Sequence, residues 1–275
     1  MKLSLSVRVA ESAKRKDVAD LPIEALAPLA KAAGFQALSM RASVVSVTSP
    51  PARVQAVKQV LAREGLTVSM VTGDIPLAAN NAQATDAIRN IGPYLDLAEA
   101  LDCRLVRVMT QHESDIAQVQ RAADIAAEHN LTLAHMTHWG TLIETVEDAL
   151  RVVRAVNRPN FGVVYEAANT MACTSNFDPE AVRQLVPHLV NVMFQNVHKD
   201  PASPIGFRSN RLGQVGLRYV PLADRSVLDA EAMVVTLREA GYDGWLTVHQ
   251  PLRDGQTVPD AITEAAAVFG PFIRP

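Results

Sequence analysis

Cysteine is scarce in this chain, which has only Cys103 and Cys173 among its 275 residues. The two residues lie far apart, and neither belongs to a Cys-x-x-Cys pair. This pattern disfavours a disulfide framework and a zinc cluster built on cysteine, and it is typical of proteins from a reducing compartment. We therefore expect a cytoplasmic protein.

Positive charge is not in surplus, and long apolar runs are missing. The 26 Lys and Arg residues are outnumbered by 29 Asp and Glu residues, which gives a formal net charge of −3 at pH 7. We therefore do not expect binding to nucleic acid or to a membrane surface. No run approaches the roughly 18 apolar residues that span a bilayer. Glu11, Lys14 and Arg15 follow the N-terminal segment too closely for a signal peptide.

The sequence does contain a repeated order of short apolar strand, polar strand end and helix. Eight strands at a spacing of roughly 30 residues are predicted over residues 2–9, 35–43, 66–72, 103–110, 131–136, 160–166, 190–195 and 245–250. Alternation with helices implies parallel strands joined by right-handed crossovers. Eight such units fit a closed (β/α)8 TIM barrel, an α/β fold, better than an open doubly wound sheet. We expect a single domain over residues 1–275, because no linker-like break interrupts the pattern.

Local patterns refine this outline. The helix after the fifth strand is predicted to start at Thr141, with Thr141 and Glu144 as its capping box, and the pair Thr145 and Asp148 is interpreted as a chance match inside the helix. The next helix is predicted to be capped at Asp178, and residues 199–226 form a long insert. No Gly-x-Gly-x-x-Gly motif follows the first strand, so no nucleotide cofactor is expected.

Active sites of such barrels lie at the carboxyl ends of the strands. The polar residues there are, in strand order, Arg8 and Glu11, Arg41, Asp74, Arg107 with Gln111 and His112, His135 with His138 and Trp139, Glu166 and Asn169, Gln195 and His198, and His249 with Gln250. These residues are the candidates for the site.

Glu166 is the foremost candidate, because a carboxylate after a nearly continuous apolar strand is costly to bury unless it has a partner or a function. His135 and His138 are three residues apart and face opposite sides of a strand, so at most one belongs to the site, and we favour His138. The sequence leaves open whether Arg107 faces the lumen or the surrounding helices. Trp139 is equally well interpreted as a lid over the substrate or as packing for a loop.

Arginines at strand ends fit an anionic or polyhydroxylated ligand. Arg8, Arg41 and Arg107 could offer bidentate forks to a carboxylate or phosphate, although surface salt bridges would explain them too. Asp74 could bind sugar hydroxyls. We also place Trp139, Asn169, Gln195 and His198 among the substrate-binding candidates.

Three segments resemble the xylose-isomerase-like TIM barrels, a superfamily of sugar isomerases, epimerases, inosose dehydratases and endonuclease IV-type enzymes. They are HWGTLIETVEDALRVVRAVNRPNFGVVYEAAN (138–169), QNVHKD (195–200) and GYDGWLTVHQ (241–250). The resemblance extends over nearly the whole chain. It implies a divalent metal bound by acids and a His at the ends of strands five to eight. That metal would polarise a carbonyl while two glutamates move protons at the carbons beside it.

This sequence departs from that pattern at the implied ligand positions, which read Met136, Glu166, Gln195 and His249. His138 is kept, and Asn169 stands where the family has a His. Glu166, His249 and Gln195 are therefore a degenerate metal set, since a thioether does not suit a hard cation such as Mn²⁺ or Mg²⁺. The sequence leaves open whether Mn²⁺, Mg²⁺, Zn²⁺ or no metal binds.

Two functional hypotheses follow from the resemblance. In the first, the protein is an isomerase, epimerase or dehydratase that acts by proton transfer beside a carbonyl of a sugar, sugar acid, sugar phosphate or inosose, with Glu166, His138 and His249 as catalytic residues. In the second, it is a non-catalytic or regulatory barrel that binds a sugar-like ligand without metal. A nuclease is disfavoured, because the chain lacks a multi-zinc ligand set and a basic surface. The resemblance also suggests a homo-dimer or tetramer.

Overall fold

A computed structural model describes residues 1–174 and 179–273 of the chain. Eight parallel strands close into a barrel, in which each strand pairs with its neighbours in chain order and the last pairs with the first. They are β1 (Lys2–Ser6), β2 (Ala37–Met40), β3 (Thr67–Val71), β4 (Leu105–Val108), β5 (Thr132–Met136), β6 (Phe161–Glu166), β7 (Leu189–Phe194) and, after three strands of the insert, β11 (Trp245–Val248). The predicted TIM barrel is confirmed.

Ten α-helices are found in the described residues, and the longer ones pack around the barrel. They are α1 (Ile23–Ala32), α2 (Pro51–Glu64), α3 (Ile75–Ala79), α4 (Asp86–Arg89), α5 (Gly92–Ala100), α6 (Ile116–Glu128), α7 (Val146–Val156), α8 (Ala167–Cys173), α9 (Ala230–Glu239) and α10 (Val258–Ile273). Short 3₁₀ helices cover Val7–Ala10, Ala82–Thr85, Glu113–Asp115 and Pro179–His188. None of the helices in these ranges has the length and apolarity needed to cross a bilayer.

Both faces of the barrel strands are buried. Every residue of β2, β4 and β6 is buried, as expected for parallel strands enclosed between a packed lumen and a layer of helices. The chain leaves the barrel at the carboxyl end of each strand. The side chain of the last strand residue, or of a residue soon after it, can therefore face the open end of the barrel. Glu166 is the last residue of β6 and holds such a position.

The start of α7 corrects one expectation. The N-cap is Thr145, whose side chain accepts a hydrogen bond from the Asp148 backbone N at 3.2 Å, while the Asp148 carboxylate accepts one from the Thr145 backbone N at 3.1 Å. The pair interpreted as a chance match is therefore the capping box, and the predicted box of Thr141 and Glu144 is wrong. Thr141 instead donates its hydroxyl to the His138 carbonyl at 2.7 Å. The predicted cap at Asp178 lies outside the described residues.

No strand was predicted within the insert at residues 199–226, and the structure places two strands there and ends a third at the first residue of the insert. β8 (Val197–Lys199), β9 (Gly206–Ser209) and β10 (Gly213–Tyr219) form an antiparallel sheet with β10 in the centre. The signal for β10 was present in the alternation of Val215, Leu217 and Tyr219 with polar residues or glycine. Val215 and Leu217 are the buried residues of the strand, and Tyr219 is partly buried.

Replacing Thr145 with Ala should lower the free energy of unfolding by about 0.5–2 kcal/mol, because the N-cap hydrogen bond is lost. Urea denaturation measures this change. Thr263→Ala is a suitable control, since Thr263 is exposed inside α10 and a change from Thr to Ala there does not lower helix propensity. Equal stability of the wild type and Thr145→Ala would contradict the assignment of the cap.

Candidate active site

A cavity of about 330 Å³ lies at the carboxyl end of the barrel. Among the predicted site residues, those that line it are Arg8, Arg41, His138, Trp139, Glu166, Asn169, Gln195 and His249. Met136, which holds the fifth strand's family ligand position, lines it as well. These residues come from the ends of six barrel strands, so the rule that strand ends converge brought half of the candidates to one place.

Eight of the candidates lie outside the cavity lining, namely Glu11, Asp74, Arg107, Gln111, His112, His135, His198 and Gln250. Arg107 is 2% exposed and sits behind it, where its guanidinium donates to the Leu77 carbonyl at 3.0 Å and to the side chain of Asn80. Asp74 caps α3 by accepting from the Leu77 backbone N at 2.8 Å. His198 belongs to β8, and its ring contacts Ser226 at 3.0 Å.

Other lining residues were not singled out from the sequence. Phe207, Leu217 and Tyr219 come from the insert, and Lys16 comes from the loop after the first strand. The aromatic residues could have been found only by recognising β9 and β10 as strands. Nothing in the sequence around Lys16 distinguishes it from the neighbouring surface charges.

Glu166 is 1% exposed, and its two carboxylate oxygens differ in their partners. Oε2 accepts a hydrogen bond from the Asn169 side chain at 3.1 Å, whereas Oε1 has no partner in the described residues. Burial raises the pKa of Glu166 to about 7, and the positive charges of Arg8 and Arg107 hold it from rising further. A carboxyl with such a pKa can both accept and release a proton near neutral pH.

The two lining histidines are neutral imidazoles at neutral pH. Burial holds the pKa of His138 and that of His249 well below the usual range, and nearby cations, led by Arg107 for the first and Arg8 for the second, lower both further. The Nδ1 of His138 lies 2.9 Å from the Trp139 carbonyl oxygen, so Nδ1 carries the proton and Nε2 is the acceptor. The Nδ1 of His249 is buried and has no partner in the described residues.

His135 is not part of this cavity. Its Nδ1 lies 2.7 Å from the Met136 carbonyl oxygen and its Nε2 lies 3.3 Å from that of Thr110. Burial lowers its pKa to about 4. The preference for His138 over His135 thus agrees with where the two rings lie.

Cationic side chains dominate the walls. Arg8 donates to the Gln195 side chain at 3.0 Å and to the Tyr219 hydroxyl at 2.9 Å, and it forms no ion pair with a carboxylate of the described residues. Arg41 is paired with Glu11. Loss of hydration, together with the charges of Arg8 and Arg41, lowers the pKa of Lys16 to about 8. The cavity therefore favours an anion, because these cations exceed the carboxylates among them.

Residues 206–219 of the insert, which comprise β9, β10 and the turn between them, cover the cavity, and we call them the roof. Phe207 of β9 stacks on Trp139 with ring centroids 3.9 Å apart, so Trp139 both lines the cavity and packs against a loop. Glu144 fastens this roof to the barrel. Its buried carboxylate accepts hydrogen bonds from the backbone N atoms of Gly140 and Asn210, each at 2.7 Å, and from the Ser209 hydroxyl at 2.9 Å.

The side chains at the four family ligand positions do not fit a divalent metal. Met136 offers a soft thioether, and the Gln195 side-chain oxygen already accepts a hydrogen bond from Arg8. No group of three or more His, Cys, Asp or Glu side chains that could hold a metal is found in residues 1–174 and 179–273. A dication at this place would also lie beside the guanidinium of Arg8. We therefore derive no chemical step through a metal.

The chain belongs to the xylose isomerase-like TIM barrel family, whose model matches residues 27–270. No curated protein matches the sequence.

Three solved structures illustrate the similarity in fold. The probable 3-DHS dehydratase AsbF from Bacillus anthracis is 16% identical, with a TM-score of 0.70, over 98% of this chain and 99% of that one. The IOLI protein, solved with a bound zinc atom, is 15% identical, with a TM-score of 0.71, over 99% and 98%. The 3-keto-D-glucoside 4-epimerase YcjR from E. coli is 14% identical, with a TM-score of 0.66, over 98% and 99%.

Removing the Glu144 carboxylate should loosen the roof. In Glu144→Ala we expect faster backbone hydrogen exchange over residues 206–219 and a loss of roughly 2–4 kcal/mol of stability, because several buried donors lose their acceptor. Exchange measured by mass spectrometry and urea denaturation test the two parts. Glu147→Ala, at an exposed neighbour on α7, is the control. Unchanged exchange over the roof would show that Glu144 does not hold it.

Burial of Glu166 should make stability depend on pH. Its pKa rises from 4.5 in the unfolded chain to about 7 in the folded protein, so the folded state binds the proton more tightly. Stability should therefore fall as the pH rises between these values. Glu166→Gln should be more stable than the wild type by on the order of 1–3 kcal/mol at about pH 8, and by less at about pH 5.

Urea denaturation at both pH values measures this difference. Glu128→Gln, on the exposed face of α6, should leave stability nearly unchanged at either pH. A gain for Glu166→Gln of the same size at both pH values would contradict the raised pKa of Glu166.

Proposed function

We propose that this protein is an enzyme of the sugar isomerase and epimerase type that transfers a proton at the carbon beside a carbonyl of a small, anionic hydroxy-carbonyl compound. The observation that carries the proposal is the buried carboxylate of Glu166, whose Oε1 has no partner in the described residues, in a cavity walled by Arg8, Arg41 and Lys16. A carboxylate without a partner is costly to bury, and a role in chemistry accounts for its retention.

Glu166 is proposed to be the group that moves the proton. Its Oε2 is fixed by Asn169, so the direction of Oε1 is set before the substrate binds. Removal of a proton from the carbon beside a carbonyl breaks the C–H bond and leaves its electron pair delocalised onto the carbonyl oxygen as an enolate. Return of the proton to the opposite face of the same carbon gives epimerisation. Return to the former carbonyl carbon gives isomerisation, provided that the proton of the neighbouring hydroxyl moves to the enolate oxygen. Expulsion of a hydroxyl from the next carbon gives dehydration.

The second proton carrier cannot be a carboxylate, because Met136 stands at the strand-five position where the resemblance implies a glutamate. His138 and His249 are the remaining acid–base groups in the cavity. As a neutral imidazole, each can accept a proton from a substrate hydroxyl at one ring nitrogen, and it returns to the neutral form when it releases a proton. We assign them to this role.

The excess of cations supports an anionic substrate. Arg8, Arg41 and Lys16 border the cavity, and Arg107 lies behind it. These four cations face three carboxylates whose charges act on them, those of Glu11, Asp74 and Glu166. A carboxylate or phosphate on the substrate would offset this charge. The family likeness supports the reaction type, since structures of this fold include a dehydratase and an epimerase whose name places the inverted carbon, C4, beside a keto group at C3.

Exchange of substrate hydrogen with solvent tests the proposal. Wild-type protein in D₂O is incubated with sugar acids, sugar phosphates, ketoses and inososes, and NMR follows deuterium incorporation beside the carbonyl. We expect exchange with an anionic member of this set. Glu166→Gln should slow it by about 10²–10⁴-fold, the usual contribution of a general base.

Glu128→Gln, which changes an exposed carboxylate in the same way, should retain the wild-type rate. An unchanged exchange rate in Glu166→Gln would remove Glu166 from the mechanism. Thermal stabilisation by an anionic sugar without any exchange would instead indicate a ligand-binding barrel and contradict the enzymatic proposal.

A further inference from the structure

The guanidinium of Arg8 lies where three barrel strands meet. Arg8 is in the 3₁₀ turn directly after β1, and it donates through Nη1 to the side chain of Gln195, just after β7, at 3.0 Å. The same Nη1 reaches the backbone carbonyl of His249, just after β11, at 3.4 Å. These two positions are those at which the resemblance implies metal ligands. The positive charge of Arg8 thus lies next to the position that the resemblance gives to a metal ion.

Arg8 is held rigidly but is not saturated with hydrogen bonds. Its Nη2 donates to the Tyr219 hydroxyl at 2.9 Å, so both ends of the fork are anchored, one to the barrel and one to the roof. A guanidinium has five N–H donors. The three bonds to described residues leave one Nη2 hydrogen and the Nε hydrogen without an acceptor there. These donors are available to an oxygen of a bound substrate.

Arg8 and Glu166 line the same cavity without pairing to each other. A chain of amides joins them. Gln195 accepts from Arg8 through its side-chain oxygen and donates through Nε2 to the Asn169 side chain at 3.4 Å, and Asn169 donates to Glu166 at 3.1 Å. The chain fixes the acid and the cation relative to one another, and each keeps a free hydrogen-bonding position. Such an arrangement suits a substrate placed between them.

We propose that Arg8 polarises the substrate carbonyl, in the role that the family resemblance gives to a divalent metal ion. This proposal rests on the function proposed above. Glu166 takes the proton from the carbon beside the carbonyl, the electron pair of the broken C–H bond moves onto the carbonyl oxygen, and the enolate oxygen accepts hydrogen bonds from the free N–H groups of Arg8. Return of the proton restores the carbonyl. Atoms and electrons balance in this proton transfer without an oxidant or a metal.

The first test measures solvent exchange of the substrate in the presence of EDTA. The wild-type rate should stay unchanged with EDTA and with added Mn²⁺. Arg8→Gln should lower kcat by about 10²–10³-fold, the usual cost of removing one group that stabilises a developing oxyanion, with a smaller effect on KM. Arg121→Gln, an exposed arginine on α6, is the matched control and should keep the wild-type rate.

The second test is chemical rescue. Arg8→Ala, which should be as inactive as Arg8→Gln, should regain exchange when guanidinium is added well below denaturing concentrations. Arg8→Lys should fall between the wild type and Arg8→Gln, since it keeps the charge and loses the fork. Thermal denaturation establishes that the variants are folded. A purely structural role of Arg8 would give no rescue by guanidinium.

Different outcomes separate this proposal from the one it rests on. Absence of exchange in the wild type with every compound tested would overturn the proposed function, and the role of Arg8 with it. Exchange that EDTA abolishes and Mn²⁺ restores would leave the function standing and overturn the role of Arg8. Exchange at the wild-type rate in folded Arg8→Gln would overturn that role as well.

Discussion

The site depends on keeping one carboxylate buried without a counter-ion in contact. Glu166 ends β6 inside the barrel, where an ionised side chain is costly unless hydrogen bonds and nearby charge offset the loss of water. Asn169 supplies the hydrogen bond, and Arg8 and Arg107 supply positive charge from a distance. Direct pairing would have lowered the pKa of Glu166 and occupied both oxygens. The separation leaves the group able to move a proton near neutral pH.

The same requirement explains the roof. Water in an open cavity would weaken the electric field of the arginines. Phe207, Leu217 and Tyr219 of the insert cover the cavity. Tyr219 also accepts a hydrogen bond from the guanidinium of Arg8, so the roof helps to position this cation. Glu144 holds the roof with a second buried carboxylate, which accepts hydrogen bonds from donors on both the barrel and the roof.

The barrel and much of the site follow from the sequence, because both rest on short-range patterns. Strand–helix alternation gave the fold, and the rule for strand ends gave Glu166, His138 and His249. Side-chain direction was harder to predict. The guanidinium of Arg107 donates to the Leu77 carbonyl and lies outside the cavity lining, and the alternation of residues along the strand does not predict this direction. The capping box at Thr145 was missed because two Thr-x-x-acid patterns overlap. The pattern alone does not reveal that the carboxylate of Glu144 binds the distant insert instead of the helix start.

The metal content of the protein tests most directly whether an arginine has replaced the metal in this barrel. Protein purified without chelator and then dialysed against Mn²⁺, Mg²⁺ or Zn²⁺ is analysed by elemental mass spectrometry. We expect far less than one metal ion per chain, since Met136, Gln195 and the charge of Arg8 oppose binding. A content near one metal ion per chain, lost on replacing Glu166 or His249 with Ala, would contradict the replacement.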